Sequence, residues 1–265
     1  MKTIKLWENG APFFDSTFGQ DEPEMTYYPA SHSDDAPNGC VIVCPGGGYE
    51  FLADIEGEPI AKRFNEAGID AFVLRYRITP YRHPVPMMDA LRAVRVVRSL
   101  SVSYGIDPNK IALMGSSAGG HLVLSALSDY NHADDTDYIG RFSARPDAVI
   151  VSYPVVTLDD SFTHADSKRL LIGGLENEGE LEVLLSAEKN VRDDTPPVFL
   201  WHCADDSFVP VENSLMYAAA LSAKRIPFEL HVFPKGDHGN GLTANVPGAR
   251  EWSRLACDWL YRLGF

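Results

Sequence analysis

Features that mark membrane proteins and nucleic-acid-binding proteins are missing from this sequence. No apolar run reaches the roughly 18 residues that a membrane-spanning helix needs, and residues 1–7 lack the apolar core of a secretory signal peptide. Positive charge is also scarce, because 23 Lys and Arg residues face 37 Asp and Glu residues, which gives a formal net charge of −14 at pH 7. Such an acidic surface repels nucleic acid and anionic lipid. We therefore expect a cytoplasmic protein whose partners are neither nucleic acids nor membranes.

Cysteine is scarce too, and its four residues are Cys40, Cys44, Cys203 and Cys257. A chain of this size does not need disulfides to stabilise its core, so we expect buried free thiols. No C-x-x-C pair occurs, and the histidines do not have metal-ligand spacing. The sequence predicts neither a metal site nor a cofactor.

Short apolar runs alternate with helical patterns along the 265 residues, without a repeat or a linker. Cys40–Cys44 is an unbroken apolar run with the length of a buried parallel strand. The alternation predicts an α/β fold with one domain over residues 1–265, a mostly parallel central sheet and helices on both of its faces. Residues 1–24 are expected to form a lead-in segment. Residues 155–195 break the alternation and predict a small lid.

The stretch from Ile111 to His121 contains the most specific motif in the chain. An apolar run from Ile111 to Met114 leads into Gly-Ser-Ser-Ala-Gly at 115–119, and a helical pattern follows. A strand that turns into a helix through G-x-S-x-G is a nucleophile elbow. The motif predicts Ser117 as an exposed nucleophilic hydroxyl and the amide of Ala118 as a donor to an oxyanion.

A second glycine-rich stretch, Pro45–Tyr49, follows the strand predicted at Cys40–Cys44. Consecutive glycines allow positive φ and let several amide N–H groups converge on one point. A flexible loop is the simpler interpretation, and a phosphate-binding loop would need a G-K-[ST] ending that is missing. Together with the elbow downstream, the position of this loop after a strand predicts the remaining oxyanion donors. Tyr49 lies beside the loop and is expected to line the substrate cleft.

Acidic and basic partners for Ser117 follow it in the order that this mechanism needs. Asp205 and Asp206 come directly after one late predicted strand, and His238 comes after the next. A histidine can accept the serine proton, and a carboxylate can fix the tautomer of that histidine and stabilise its charged form. Consecutive side chains on an extended segment point in opposite directions, so only one of the two aspartates can reach His238. The residues alone leave that choice open.

Taken together, these motifs resemble the α/β-hydrolase superfamily, and within it the acetyl esterases and carbohydrate esterases, including acetylxylan-esterase-like and feruloyl-esterase-like members. The resemblance spans residues 40–265. The D-x-x-V-P pattern of the family, matched at 206–210, implies that Asp206 is the acid. The family's glycine loop implies that Gly47 and Gly48 join Ala118 in the oxyanion hole. Pro45 stands where related lipases have the histidine of H-G-G-G, as is common in the carbohydrate-esterase-like branch.

The resemblance implies a serine esterase that hydrolyses small esters, foremost acetyl groups on sugars, through an acyl-enzyme and without a cofactor. An arylformamidase or a peptidase could use the same triad of Ser117, Asp206 and His238. A non-catalytic binding protein with this fold would have lost a member of the triad, and none is lost. The sequence leaves the acyl length, the alcohol part and homo-oligomerisation open.

Three further polar features receive structural interpretations. Arg92, Arg95 and Arg98 recur every three residues along one predicted helix, and a solvated helix face is favoured over an anion site. His121 is expected to pack or to form a hydrogen bond near the start of the elbow helix. His202 is expected to order the loop that carries Asp205 and Asp206, the acid loop, rather than to bind a metal.

Overall fold

The computed structural model describes residues 2–31, 37–130 and 136–265. Eight strands form within these ranges: β1 (Lys2–Lys5), β2 (Glu24–Tyr28), β3 (Asn38–Cys44), β4 (Asp70–Arg75), β5 (Ile106–Ser116), β6 (Ala148–Ser152), β7 (Val198–Cys203) and β8 (Phe228–Phe233). They make one sheet in the order β1-β2-β4-β3-β5-β6-β7-β8. The pairs β1–β2 and β2–β4 are antiparallel, and the other neighbouring strands are parallel. The predicted, mostly parallel sheet is confirmed.

Helices cover both faces of this sheet, as predicted. The α-helices in the described part of the chain are α1 (Glu58–Glu66), α2 (Val85–Tyr104), α3 (Ser117–Ala126), α4 (Ala165–Ile172), α5 (Glu178–Leu184), α6 (Glu212–Ala223) and α7 (Trp252–Arg262). Apolar residues of α2, α3 and α6 lie in one core, and those of α1 and α7 lie in the core on the opposite face. Among the described residues, no helix combines the length and the apolar character needed to cross a bilayer.

Strand β3 shows why the inner strands are continuously apolar. Cys40, Ile42 and Cys44 belong to the core that contains α2 and α3, whereas Val41 and Val43 belong to the core of α1 and α7. All five residues are fully buried. A strand covered on both faces needs apolar residues at every position, so the run does not alternate with polar residues.

The carboxyl ends of the parallel strands bring the predicted site residues to one edge of the sheet. Strand β5 ends at Ser116, β7 at Cys203 and β8 at Phe233. Loops that follow parallel strands lie side by side at the same edge. The loop that carries Asp206 and the loop that carries His238 are therefore positioned next to the start of α3.

The prediction of a solvated arginine face on α2 is wrong. Arg92 and Arg95 are only 1% and 8% exposed. The guanidinium of Arg92 donates to the carbonyl of Leu6 (2.8 Å) and forms an ion pair with Asp137 (2.6 Å). The periodicity of the helix could not show that the N-terminal segment packs over this face.

Residues 155–195 contain α4 and α5 and are hydrogen-bonded to the main body of the protein. The amide of Ala187 donates to the carbonyl of Val156 (2.9 Å), and the amide of Val156 donates to Oδ1 of Asn213 in α6 (2.8 Å). These bonds tie the two ends of the segment to each other and to α6. The role of the segment as a lid stays a prediction.

Candidate active site

Ser117 lies at the junction of β5 and α3, where the backbone turns with little room for side chains. Its φ is 52°, in the left-handed region that few non-glycine residues adopt. A Cβ on Gly115 would lie 2.1 Å from the carbonyl oxygen of Gly119, and a Cβ on Gly119 would lie 2.2 Å from the carbonyl oxygen of Cys44. Close backbone approach therefore requires both glycines, as in a nucleophile elbow.

The hydroxyl of Ser117 is hydrogen-bonded to His238, which is in turn hydrogen-bonded to Asp206. Oγ of Ser117 lies 2.7 Å from Nε2 of His238, and Nδ1 of His238 lies 2.7 Å from Oδ2 of Asp206. A carboxylate only accepts, so Nδ1 carries a proton and Nε2 can accept the proton of the serine. The structure thus brings the three predicted residues together in an order that permits proton transfer from Ser117.

Asp206 is the buried member of the two neighbouring aspartates. Its side chain is 0% exposed. Its oxygens accept from the amides of Phe208 (3.0 Å) and Val209 (2.8 Å), and they also face ring nitrogens of His238 and His202. Burial by itself raises the pKa of Asp206, but the hydrogen bonds from His202 and His238 outweigh burial and hold the pKa well below its usual range. Asp206 is therefore a carboxylate at neutral pH.

His202 orders the acid loop, as expected. The residue is fully buried, its Nδ1 lies 2.8 Å from Oγ of Ser214, and its Nε2 lies 2.9 Å from the carbonyl oxygen of Val209. Nε2 also lies 3.2 Å from Oδ2 of Asp206. Both of these neighbours of Nε2 are acceptors, so Nε2 carries a proton and gives Asp206 a second imidazole donor.

Asp205 is hydrogen-bonded to the backbone of the loop that follows β8 and carries His238, the histidine loop. Its side chain is 33% exposed and accepts from the amide of Asp237 (3.1 Å), while Nζ of Lys235 lies 3.5 Å from Oδ2. Asp237 in turn accepts from the amide (3.1 Å) and the hydroxyl (2.8 Å) of Ser207. These bonds cross-link the acid loop and the histidine loop in both directions.

The glycine loop at 45–49 lies directly against the elbow. Gly47 and Gly48 have φ angles of 120° and 67°, which favour glycine. A Cβ on Gly46 would lie only 3.0 Å from the Cβ of Ser117. The loop is therefore beside the side chain of Ser117. The assignment of the amides of Gly47, Gly48 and Ala118 to an oxyanion hole stays a prediction.

Tyr49 does not line an open cleft, so the prediction for this residue needs correction. Its side chain is in the core, with 2% of the residue exposed, and its hydroxyl lies 2.8 Å from Nδ1 of His121. A left-handed φ of 61° at Tyr49 changes the direction of the chain, which the sequence did not reveal. Nε2 of His121 lies 3.0 Å from the carbonyl oxygen of Leu185 and donates to it. Tyr49 and His121 therefore connect the glycine loop to α3 and to residues 155–195.

Two buried residues beside the triad gave no signal in the sequence. Glu56 is 2% exposed, and its two carboxyl oxygens accept from the amide of Gly46 (2.7 Å) and from the hydroxyl of Tyr153 (2.6 Å). The ring of Tyr153 lies edge-on to His238, with 4.9 Å between the ring centroids. Glu56 lies in a short turn without helix or strand periodicity, and Tyr153 is 97 residues away along the chain. Only the fold brings them together.

Apolar and imidazole groups border the triad. Three apolar residues are more than half exposed: Phe51, which lies against Gly47, Ile55, which lies against Gly241, and Phe208. The ring of Phe208 lies 6.0 Å from that of His238, measured between centroids. From residues 155–195, His164 extends towards the glycine loop, and its Cε1 would be 3.9 Å from a Cβ on Gly48.

Comparison with known proteins identifies the family and the fold of the chain. The BD-FAE family model matches residues 26–221, which is most of the chain. The chain belongs to the BD-FAE family. A solved relative, the acetyl ester-xyloside bifunctional hydrolase from Caldicellulosiruptor lactoaceticus, superposes with a TM-score of 0.93 at 43% identity, over 100% of this chain and 97% of that one. This superposition, and those with other solved hydrolases of the superfamily, confirm the predicted α/β-hydrolase fold.

Two longer proteins are related to this BD-FAE chain in sequence. Endo-1,4-β-xylanase B of Butyrivibrio fibrisolvens is 40% identical over 239 residues, which are 88% of this chain and 37% of that protein. Acetylxylan esterase of Xylanibacter ruminicola is 34% identical over 216 residues, which are 78% of this chain and 42% of that protein. The BD-FAE chain therefore spans less than half the length of these two relatives.

The BD-FAE family match includes Ser117 and Asp206 but ends before His238. The position of the histidine in this family member therefore rests on its two 2.7 Å contacts, with Oγ of Ser117 and with Oδ2 of Asp206. Both contacts join segments that are far apart in sequence, so their coincidence at one point is a property of the fold.

Proposed function

We propose that this protein is a serine esterase that hydrolyses small esters, in particular acetyl esters of carbohydrates. The observation that carries the proposal is the hydrogen-bonded series of Ser117, His238 and Asp206 at the start of α3. The relatives support the substrate class, since one is an acetylxylan esterase and another is an acetyl ester-xyloside bifunctional hydrolase.

The first half-reaction transfers the acyl group to the protein. Oγ of Ser117 attacks the ester carbonyl while Nε2 of His238 takes the serine proton, and Asp206 stabilises the imidazolium that forms. The tetrahedral intermediate then collapses, and the leaving alcohol takes its proton from His238. An acetyl ester of Ser117 remains.

The second half-reaction uses water. Water gives a proton to His238 as its oxygen attacks the acyl group on Ser117, and a second collapse returns the proton to Oγ and releases the acid. In both half-reactions the carbonyl oxygen becomes negatively charged. Amide groups of Gly47, Gly48 and Ala118 are the proposed donors that stabilise this charge.

The composition of residues 155–195 supports a short acyl group. A lipase lid presents apolar surface to lipid, whereas this segment is strongly acidic. Its acidic residues include Asp159, Asp160, Glu176, Glu178, Glu180 and Glu182. We propose that the segment acts as a small lid over a site for acetyl esters rather than as an interfacial lid.

Substrate and probe panels test the proposal. A fluorophosphonate probe should label the wild type and leave Ser117→Ala unlabelled. A non-catalytic binding protein would not be labelled in either form. The kcat/KM for p-nitrophenyl acetate should exceed that for the decanoate, and acetylated xylose should be deacetylated. Faster turnover of the decanoate would point to a lipase, and turnover of N-formylkynurenine alone would point to an arylformamidase.

A second candidate activity is the hydrolysis of xylosides. The match that favours it is the one with the bifunctional hydrolase, which covers 100% of this chain and 97% of that one. Release of p-nitrophenol from p-nitrophenyl β-xyloside would support it. Ser117→Ala then decides whether both activities share one nucleophile, because a separate glycosidase site would stay active.

We also propose a cytoplasmic location. All four cysteines are buried free thiols, which suits a reducing compartment. Fractionation of the source cells, followed by detection of the protein, tests this proposal directly.

A further inference from the structure

Glu56 is a buried carboxyl group that takes no part in the chain from Ser117 to Asp206. It is 2% exposed and lies in the short turn between the glycine loop and α1. Burial raises the pKa of Glu56 above its ordinary value, and its hydrogen bonds to Tyr153 and Gly46 offset only part of that rise. An acid held in this position destabilises the protein unless its hydrogen bonds are satisfied. Its two partners therefore indicate what the residue does.

The two oxygens of Glu56 are both acceptors. Oε2 accepts from the amide of Gly46 at 2.7 Å. Oε1 lies 2.6 Å from the hydroxyl of Tyr153, and that hydroxyl accepts from the amide of Gly241 at 3.2 Å. Since the hydroxyl oxygen receives the amide proton, its own proton is available for Glu56. This arrangement suits the carboxylate form.

The hydrogen bonds link the amide of Gly46, Glu56, Tyr153 and the amide of Gly241 in series, and the Gly46 end of this series lies in the glycine loop. Gly46 immediately precedes Gly47 and Gly48, and a Cβ on Gly46 would lie 2.6 Å from Oε2 of Glu56 and 3.0 Å from the Cβ of Ser117. The backbone of the loop is thus packed between the carboxylate and the reactive serine. A shift of Glu56 would move the loop relative to Ser117.

The other end holds the histidine loop. Gly241 follows His238 by three residues, and the ring of Tyr153 lies edge-on to the imidazole. The ring of Tyr153 also lies edge-on to that of Trp201 in β7, with 4.9 Å between the ring centroids. The core therefore fixes the position of Tyr153. Through its ring and its hydroxyl, Tyr153 restricts where the imidazole of His238 and the loop that follows it can lie.

We propose that Glu56 and Tyr153 form a positioning pair that fixes the distance between the glycine loop and His238. The inference rests on the proposed esterase function, because the distance matters only if the loop stabilises an oxyanion formed on Ser117. The hydrogen bonds of these two residues go to each other and to the amides of Gly46 and Gly241, and not to Ser117 or His238. Their effect is on the geometry in which the transition state is stabilised, so it falls on kcat rather than on KM.

The test measures kcat and KM for p-nitrophenyl acetate in three variants. Glu56→Ala removes both acceptors and should lower kcat about 10²-fold, the scale of losing one oxyanion donor, with KM changed by less than about threefold. Tyr153→Phe keeps the ring on His238 but loses the hydroxyl, and should lower kcat about tenfold, as expected for one hydrogen bond to a charged group. Glu56→Gln keeps one acceptor, so its kcat should lie between that of Glu56→Ala and that of the wild type.

Coupling distinguishes a positioning pair from two independent structural residues. In the double variant Glu56→Gln with Tyr153→Phe, the loss of kcat should be smaller than the product of the two single losses. Glu58→Gln and Tyr217→Phe are matched controls and should keep wild-type kcat. Glu58 lies two residues along the chain, where it pairs with Lys62 at the surface, and Tyr217 is a buried tyrosine of α6.

Two outcomes overturn the inference and can be told apart. If the wild type hydrolyses acetate esters and folded Glu56→Ala and Tyr153→Phe keep kcat within twofold, the positioning pair is wrong and the esterase stands. If the wild type hydrolyses no ester and resists the fluorophosphonate, the proposed function fails and the inference fails with it. Thermal unfolding of each variant shows that the comparison is made on folded protein.

Discussion

The buried floor of the site and its exposed rim differ in how their side chains are held. The floor consists of the buried side chains of Glu56, His121, Tyr153, His202 and Asp206. The rim consists of Phe51, Ile55, Asp205 and Phe208. Every side chain of the floor has at least two hydrogen-bond partners, and all except His202 have at least one partner that is 32 or more residues away in sequence. Three of the four rim residues are apolar and face solvent.

This difference predicts where substitutions matter. Hydrogen bonds in the low-dielectric interior are stronger than those in water, and a buried group left without its partner is costly. Rim residues exchange protein contacts for water at little cost. We therefore expect changes of the floor to alter kcat or stability strongly, and changes of the rim to have small effects.

The largest effect should come from removing the hydroxyl of Ser117, which lies between the floor and the rim. Ser117→Ala should lower kcat for p-nitrophenyl acetate by about 10⁶-fold, because no acyl-enzyme can form. The unfolding midpoint should stay near that of the wild type. Ser125→Ala, on the same helix, serves as the control and should keep its activity. Near-normal turnover by purified Ser117→Ala would place the nucleophile elsewhere.

Asp206→Asn tests the floor itself and should lower kcat about 10⁴-fold, the loss seen for this change in a comparable triad. The amide has nearly the same volume as the carboxylate, but its NH₂ group can hold His238 in the wrong tautomer. Because His238 transfers protons in both half-reactions, pre-steady-state kinetics should show that acylation and deacylation are both slowed. A variant that retained a tenth of the wild-type kcat would exclude Asp206 as the acid.

The two positive-φ glycines of the loop give a matched pair for the oxyanion hole. In Gly47→Ala the new Cβ would lie 2.2 Å from the carbonyl oxygen of Phe51, at a φ of 120°, so the loop must move and kcat should fall about 10²-fold to 10³-fold. In Gly48→Ala the nearest atom is 3.9 Å away, and the left-handed φ of 67° costs alanine about 1 kcal/mol, so the loss should stay below about tenfold. Equal activities of the two variants would argue against the loop as the source of oxyanion donors.

His121 predicts a pH dependence of stability that originates in the floor. Burial lowers the pKa of His121 to about 4, whereas the unfolded chain has a pKa near the ordinary value of about 6.5. Between these values the unfolded state binds the extra proton, so the free energy of unfolding should fall as the pH falls from 6.5 towards 4. Between pH 7 and pH 5 the contribution is about 2 kcal/mol. Urea denaturation of the wild type and His121→Gln at both pH values should show a steeper decline for the wild type.

Sequence reasoning predicted the parts of the site that depend on local chain geometry. The elbow around Ser117 is one strand, one tight turn and one helix, so G-x-S-x-G specifies it within a few residues. The order of Ser117, Asp206 and His238 follows from strands that end at one edge of the sheet. The structure brings these three residues together.

The rest of the floor depends on contacts that no local pattern encodes. Glu56 and Tyr153 meet across 97 residues, and the burial of Arg92 depends on the N-terminal segment that covers α2. Tyr49 was misplaced for a related reason, because its left-handed φ is set by the loop around it. Where a side chain's surroundings come from distant segments, composition and periodicity do not identify its partners.

The smallest effect should come from Asp205, which is next to Asp206 in sequence but belongs to the rim. Its carboxylate is one-third exposed, accepts from the amide of Asp237, and lies 3.5 Å from Nζ of Lys235. Asp205→Asn keeps an oxygen that can accept the same amide proton, so kcat should fall by less than about threefold, in line with an exposed ion pair. Asp205→Asn and Asp206→Asn should be measured together, with circular dichroism to verify folding. The comparison shows whether burial of the aspartate or its position in the sequence decides the loss of kcat. The reverse ranking would move the acid to Asp205 and would contradict the 2.7 Å contact between Asp206 and His238.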